Sequence, residues 1–159
     1  MVKIKIINVG TNKESYFNEG IKEYIKRLTP FASVEMISVP ETRLSENPSK
    51  TEIQIGLKKE ADLILKNIPS GSFVFALCIE GNGLSSEEFS SILESKMSAF
   101  SSFTFIIGGS FGLSDEIKKR AYYKLSFSKM TMPHTLAKLF LTEQLYRAFS
   151  IMNGGKYHK

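Results

Sequence analysis

Residues 103–114 read FTFIIGGSFGLS. The near-continuously apolar run 103–107 breaks into a glycine-rich loop, Gly108-Gly109-Ser110-Phe111-Gly112, and Ser114 then caps a short helix reaching about 121. A strand without polar alternation suits a central position in a parallel sheet, covered on both faces. The run 73–79 (FVFALCI) has the same character and is followed by Gly81-Asn82-Gly83, which reads as a turn. Strands of this kind, each feeding a helix, predict an α/β fold with a mostly parallel sheet flanked by helices. In such sheets ligands sit beyond the carboxyl ends of the central strands. That places the site at residues 80–83 and 108–112.

The flanking sequence fits the same plan. Val2, Ile4 and Ile6 alternate with Lys3 and Lys5, which predicts a strand over 2–9. A helix over about 16–28 carries Phe17, Ile21, Tyr24, Ile25 and Leu28 at helical spacing, with Ser15 as its cap and Thr29-Pro30 as its end. A strand follows at 33–39. The stretch 40–47 (PETRLSEN) is polar and periodless, an expected mobile loop. Asn47-Pro48 predicts a helix start with proline in the first helical position, and Ile53, Leu57, Ala61, Ile64 and Ile68 mark its buried face to about 67. Ser85 with Glu88 forms a capping box for a helix over 86–99. A fifth strand is expected at 122–126. The last helix, from Thr135 to about Met152, ends at Gly154-Gly155. Ala137, Leu141, Leu145, Ala148 and Met152 share one of its faces, with Leu136, Leu139, Tyr146 and Phe149 off it. A helix apolar on two sides is buried deep or shared with a partner, so this pattern predicts a dimer interface. Glu143 and Arg147, one turn apart, are expected to pair structurally.

At 159 residues the chain reads as one domain, 1–159, with no internal repeat or low-complexity tract. With 42% apolar residues and twelve phenylalanines, disorder is excluded. A single cysteine, Cys78, excludes an internal disulfide framework and sites of the Cys-x-x-Cys type, and two histidines leave little material for zinc; no metal is expected. The start MVKIKIINVG lacks the apolar stretch of a signal peptide, and no run approaches the ~20 residues of a membrane span, so a cytoplasmic protein is expected. The net charge of +5 favours anionic partners, nucleic acid before membrane.

The chemical motifs narrow this further. The G-G-x-x-G loop is neither the dinucleotide fingerprint nor a P-loop, since no Gly-Lys-Ser/Thr follows. Bare glycines after a strand nevertheless let backbone N–H groups approach a ligand closely. The segment 125–134 (LSFSKMTMPH) mixes serines, Lys129, Thr131 and His134 between apolar elements. Without a placed Asp or a Gly-x-Ser-x-Gly elbow it makes a poor hydrolase. The terminal GGKYHK reads either as a frayed basic end or as a tail that stacks Tyr157 and presents His158 to a nucleotide.

Four segments carry a resemblance: FIIGGSFGLS at 105–114, LSFSKMTMPH at 125–134, LTEQLYRAFSI at 141–151 and the terminal YHK. Over its whole length the chain resembles the ribosomal RNA large subunit methyltransferase H family, a branch of the SPOUT superfamily. Lys156 stands where many members have proline, and Cys78 where others carry an acidic residue. The resemblance implies a homodimer with a C-terminal trefoil knot, an exception to the rule against threaded chains. It implies methyl transfer from S-adenosylmethionine to N3 of a pseudouridine in large-subunit (23S) ribosomal RNA, with the assembled ribosome as substrate. It puts the cofactor against Leu77, against Gly108 and Gly109, and along Phe127, Ser128, Lys129, Met130, Thr131 and Met132.

The target nitrogen carries a proton and lies on the base-pairing edge, so it must be unpaired and deprotonated. His158 has the pKa range of a base and Tyr157 a ring to stack on the target; in a dimer this tail would complete the partner's site. His134 is expected to hold its loop. Lys156, Lys159, Lys118, Lys119, Arg120 and Lys129 are the expected phosphate contacts. The alternatives are a SPOUT methyltransferase acting on another RNA such as tRNA, a non-catalytic RNA-binding or ribosome-assembly protein, and an unrelated nucleotide-binding regulator.

Overall fold

The computed structural model describes residues 1–11 and 13–159. In chain order its elements are β1 (Val2–Val9), α1 (Ser15–Leu28), β2 (Ala32–Val39), α2 (Lys50–Asn67), β3 (Phe73–Gly83), α3 (Ser86–Lys96), β4 (Ser102–Ile107), α4 (Asp115–Arg120), β5 (Tyr123–Ser126) and α5 (His134–Met152). The five strands form one sheet in the order β2-β1-β4-β3-β5, every pairing parallel.

Side-chain alternation along the central strands splits the core in two. Ile4, Ile6, Phe73, Phe75, Phe103 and Phe105 face Leu28 of α1, Phe89 of α3 and Leu141, Leu145 and Ala148 of α5. On the other face Ile7, Val9, Val74, Ala76 and Ile106 meet Ala61 and Ile64 of α2 and Ile117 of α4. Both faces of the sheet are therefore covered, which is why these strands read as unbroken apolar runs. Phe75 and Phe105 stack at 4.7 Å between centroids, on adjacent strands in register.

Local chemistry sets most boundaries, and several differ from expectation. Ser85 and Glu88 form the reciprocal capping box at α3, and Ser114 accepts from the Ile117 N–H at α4. Elsewhere α1 starts after Glu14, with Ser15 inside the helix and no side-chain cap bond. The cap of α2 is Ser49, boxed with Glu52, so Pro48 precedes the helix instead of opening it. α5 begins at His134 after Pro133, not at Thr135. α3 ends at Lys96, short of 99.

The largest difference lies in β3. Leu77 and Asn82 both stand opposite Leu125 of β5, so residues 78–81 bulge out and pairing resumes over Asn82 and Gly83. The Gly81-Asn82-Gly83 segment is thus part of a strand, not a turn. A Cβ on Gly81 would lie 2.8 Å from the Lys124 carbonyl oxygen, so this crossing needs glycine.

The two apolar sides of α5 are largely satisfied inside the chain. Phe149 stacks on Phe31 and is buried. Tyr146 lies against Tyr24, and Leu139 fills the space above Gly20 of α1. Leu136 and Phe140 remain exposed.

Candidate active site

Beyond the carboxyl ends of β3 and β4 lies a cleft of about 430 Å³, within the range of small-molecule sites. Three segments make its walls. The bulge of β3 contributes Leu77, Cys78, Ile79 and Glu80; the glycine loop after β4 contributes 108–112; the connection from β5 to α5 contributes Phe127, Ser128, Met130, Thr131 and Met132. Of the expected cofactor residues, Leu77, Gly108, Gly109, Phe127, Ser128, Met130, Thr131 and Met132 are brought together here. Lys129 is exposed and does not line the cleft.

Each wall has a local cause. A Cβ on Gly108 would sit 2.5 Å from the Gly112 carbonyl oxygen, and Gly112 itself has φ +76°, so the loop folds back on itself as only glycines permit. Its N–H of Gly112 bonds to the Gly109 carbonyl at 3.1 Å. In the third wall the Ser128 hydroxyl accepts from the Met130 N–H at 3.0 Å, while Ser126 donates to the Ser128 carbonyl at 3.1 Å. These bonds brace the 126–130 segment. Phe127 packs on Phe140 at 4.6 Å. His134 lines the cleft and lies 3.4 Å from the Thr11 carbonyl oxygen, tying the start of α5 to the end of β1.

Sequence reasoning put residue 80 at the site but missed the polar corner it makes with Lys118, because the bulge that creates this pairing leaves no periodic signal. Glu80 and Lys118 both line the cleft and form an ion pair. The Lys118 hydrogen bond holds the Glu80 carboxyl below its ordinary value. Burial pushes the neighbouring Cys78 thiol up, and the Glu80 charge adds to this, so Cys78 is a neutral wall residue near neutral pH. Lys118, also expected among the phosphate contacts, pairs with Glu80 at this rim.

The tail is docked, not frayed. Tyr157 donates to Glu143 at 2.9 Å, lies 3.4 Å from the Tyr24 hydroxyl and packs on the Tyr146 ring at 4.7 Å. Arg147 holds Glu143 at 2.5 Å and stands over the Tyr157 ring. Burial, then the bonds to Tyr24 and Glu143, drive the Tyr157 hydroxyl well above its ordinary value, so it stays protonated. Arg147 Nη1 reaches His158 Nδ1 at 3.0 Å, and His158 Nε2 reaches Glu87 Oε1 at 2.6 Å. Arginine only donates, so Nδ1 accepts and the ring proton sits on Nε2, facing Glu87. That contact holds the Glu87 carboxyl below its ordinary value. Neither Tyr157 nor His158 lines the cleft of its own chain.

A parallel α/β sheet with a glycine-walled cleft at its carboxyl ends defines a ligand-binding α/β protein. A family model described as a predicted SPOUT methyltransferase matches residues 2–158. Proteins called ribosomal RNA large subunit methyltransferase H from Streptococcus suis and Alkaliphilus oremlandii are each 50% identical over 159 residues, 99% of this chain and all of those proteins. The one from Carboxydothermus hydrogenoformans is 49% identical over the same shares. A solved structure titled as a probable methylase family protein from Haemophilus influenzae matches with TM-score 0.53 and 15% identity, over 99% of this chain and 70% of that one, a likeness of fold. The chain belongs to the SPOUT methyltransferases and, within them, to the ribosomal RNA large subunit methyltransferase H family. Among the described residues no helix is long and apolar enough to cross a membrane, and no cluster of potential metal ligands is found.

Proposed function

We propose that this chain transfers a methyl group from S-adenosylmethionine to N3 of a pseudouridine in large-subunit ribosomal RNA, acting as a cytoplasmic homodimer on the assembled ribosome. The observation that carries the reading is the glycine-walled cleft, in a chain about half identical over its full length to relatives named for ribosomal RNA methylation. The cleft suits the cofactor chemically. Glycines 108 and 109 admit a bent ligand against backbone, the 127–132 turn offers backbone groups to an adenine edge, and Leu77, Phe127 and Met132 supply apolar walls.

When bound, the cofactor supplies an activated methyl group on a sulfonium leaving group. The chain's own work is to position reactants and manage one proton. His158 is assigned as the base that takes the N3 proton, and Tyr157, kept protonated, as the stacking and positioning ring. In the docked tail the His158 Nδ1 lone pair is occupied by Arg147, so accepting a proton requires exchange of that bond for substrate. Because the tail stands outside its own cleft, it serves the partner's cleft in the dimer. The exposed Leu136 and Phe140 of α5, with Phe111 and Met130 at the cleft mouth, support an interface on that side. A single domain knotted through the loops after β3, β4 and β5 accompanies this reading. Lys156, Lys159, Lys118, Lys119, Arg120 and Lys129 are the proposed phosphate contacts.

The test is methyl transfer from labelled S-adenosylmethionine to intact ribosomes, separated subunits and free RNA, all from a strain lacking the protein. Label in the large-subunit RNA of intact ribosomes supports the reading. Label confined to tRNA would replace it with the other-RNA alternative.

A further inference from the structure

The stretch 40–47 is not a free loop. The Ser110 N–H donates to Glu41 Oε1 at 2.7 Å, which ties the loop to the middle of the glycine loop. The adjacent Thr42 N–H donates to Glu60 Oε2 at 2.8 Å, and the Thr42 hydroxyl donates to the Gly56 carbonyl at 3.1 Å, both on α2. Glu60 is 6% exposed, a buried anchor. The Glu41 carboxylate lies in space that Gly109 leaves open. A Cβ on Gly109 would meet Glu41 Oε1 at 2.6 Å and Glu41 Cδ at 3.0 Å. Glu41 does not line the cofactor cleft; it lines a small adjoining hollow that shares Phe111 with it.

We infer that Glu41 is a positioning residue for the cofactor: its carboxylate latches the Ser110 amide and so sets the shape of the 108–112 wall, with Glu60 holding the latch through Thr42. The inference rests on the proposed cofactor cleft. It gives a reason for glycine at position 109, whose φ is ordinary: the missing side chain makes room for the Glu41 carboxylate beside Val9. The latch acts on one wall of the cleft and leaves the core untouched, so its effect belongs to cofactor affinity and not to global stability.

The test is calorimetric titration of S-adenosylmethionine into the wild type, Glu41→Ala, Glu41→Gln, Gly109→Ala and the Glu41→Ala/Gly109→Ala pair, with melting temperatures of the free proteins. Glu41→Ala is expected to weaken cofactor binding about tenfold, the equivalent of one charge-assisted hydrogen bond, with the melting temperature little changed. Glu41→Gln keeps an acceptor for Ser110 and is expected to recover most of the affinity. Gly109→Ala alone places a methyl against Glu41, so the double variant is expected to bind better than the two single losses multiplied together. A Glu41→Ala protein that binds like wild type, a Glu41→Gln protein as weak as Glu41→Ala, or strictly multiplicative losses would overturn the inference. A wild type that does not bind S-adenosylmethionine would remove the cofactor reading itself, and the positioning role with it.

Discussion

His158 sits between a donor and an acceptor, Arg147 at 3.0 Å and Glu87 at 2.6 Å, which fixes its tautomer without placing it in its own cleft. The account therefore separates two kinds of residue. His158→Ala is expected to lower the single-turnover methyl-transfer rate by about 10²–10⁴, the usual worth of a positioned base, while leaving cofactor affinity unchanged. An undiminished rate would remove His158 from the base role. Gly108→Ala should do the reverse: its Cβ would collide with the Gly112 carbonyl at 2.5 Å, so titration should show cofactor binding weakened by at least about tenfold, with catalytic groups intact. The glycine loop was legible because glycines after an apolar strand have one common physical reason, whereas Leu77 and the 127–132 wall came only from the family resemblance. The tail was legible as chemistry but not as structure. Nothing in GGKYHK announces that Tyr24, Glu143 and Arg147, distant in the chain, will gather around it.

Helix starts show how far elements can be read from local pattern. Ser85-x-x-Glu88 was readable because both capping bonds lie within four residues. Ser85→Ala is expected to cost about 1 kcal/mol, a fall of about 2–4 °C in melting temperature for a chain this size. It should also loosen the α3 start that carries Glu87 toward His158. The start of α2 misled because Pro48 and Ser49 are both good opening residues, and the Ser49–Glu52 box won. The β3 bulge left no trace, since it is imposed by pairing with β5. The 40–47 loop looked mobile because its anchors are long-range. Its buried anchor Glu60 has its carboxyl raised above the ordinary value by burial first, with the Glu41 charge adding and the Thr42 bonds opposing. An acid raised on folding stabilises the fold fully below its ordinary pKa and loses that contribution as pH climbs through the raised value. The melting temperature of Glu60→Gln minus that of wild type should therefore become more positive from pH 4 to pH 7; a flat difference would contradict this.

Across the whole molecule, a mostly parallel sheet of five strands flanked by helices was legible because both faces of the central strands are apolar. Strand order was not, since periodicity carries no information on which strands become neighbours. The two-sided apolarity of α5 shows the same ambiguity: Tyr146 and Leu139 pack on α1, Phe149 stacks on Phe31, and Leu136 and Phe140 are left exposed. In the proposed dimer, each cleft would be served by the tail of the other chain. Its central claim is the identity of the methyl acceptor. The direct measurement is mass spectrometry of nuclease digests of ribosomal RNA, after ribosomes from a strain lacking this protein are incubated with the protein and methyl-labelled S-adenosylmethionine. The account predicts the label on one pseudouridine of the large-subunit RNA, at N3. Label on any other nucleotide, or on none while the cleft binds cofactor, would contradict it.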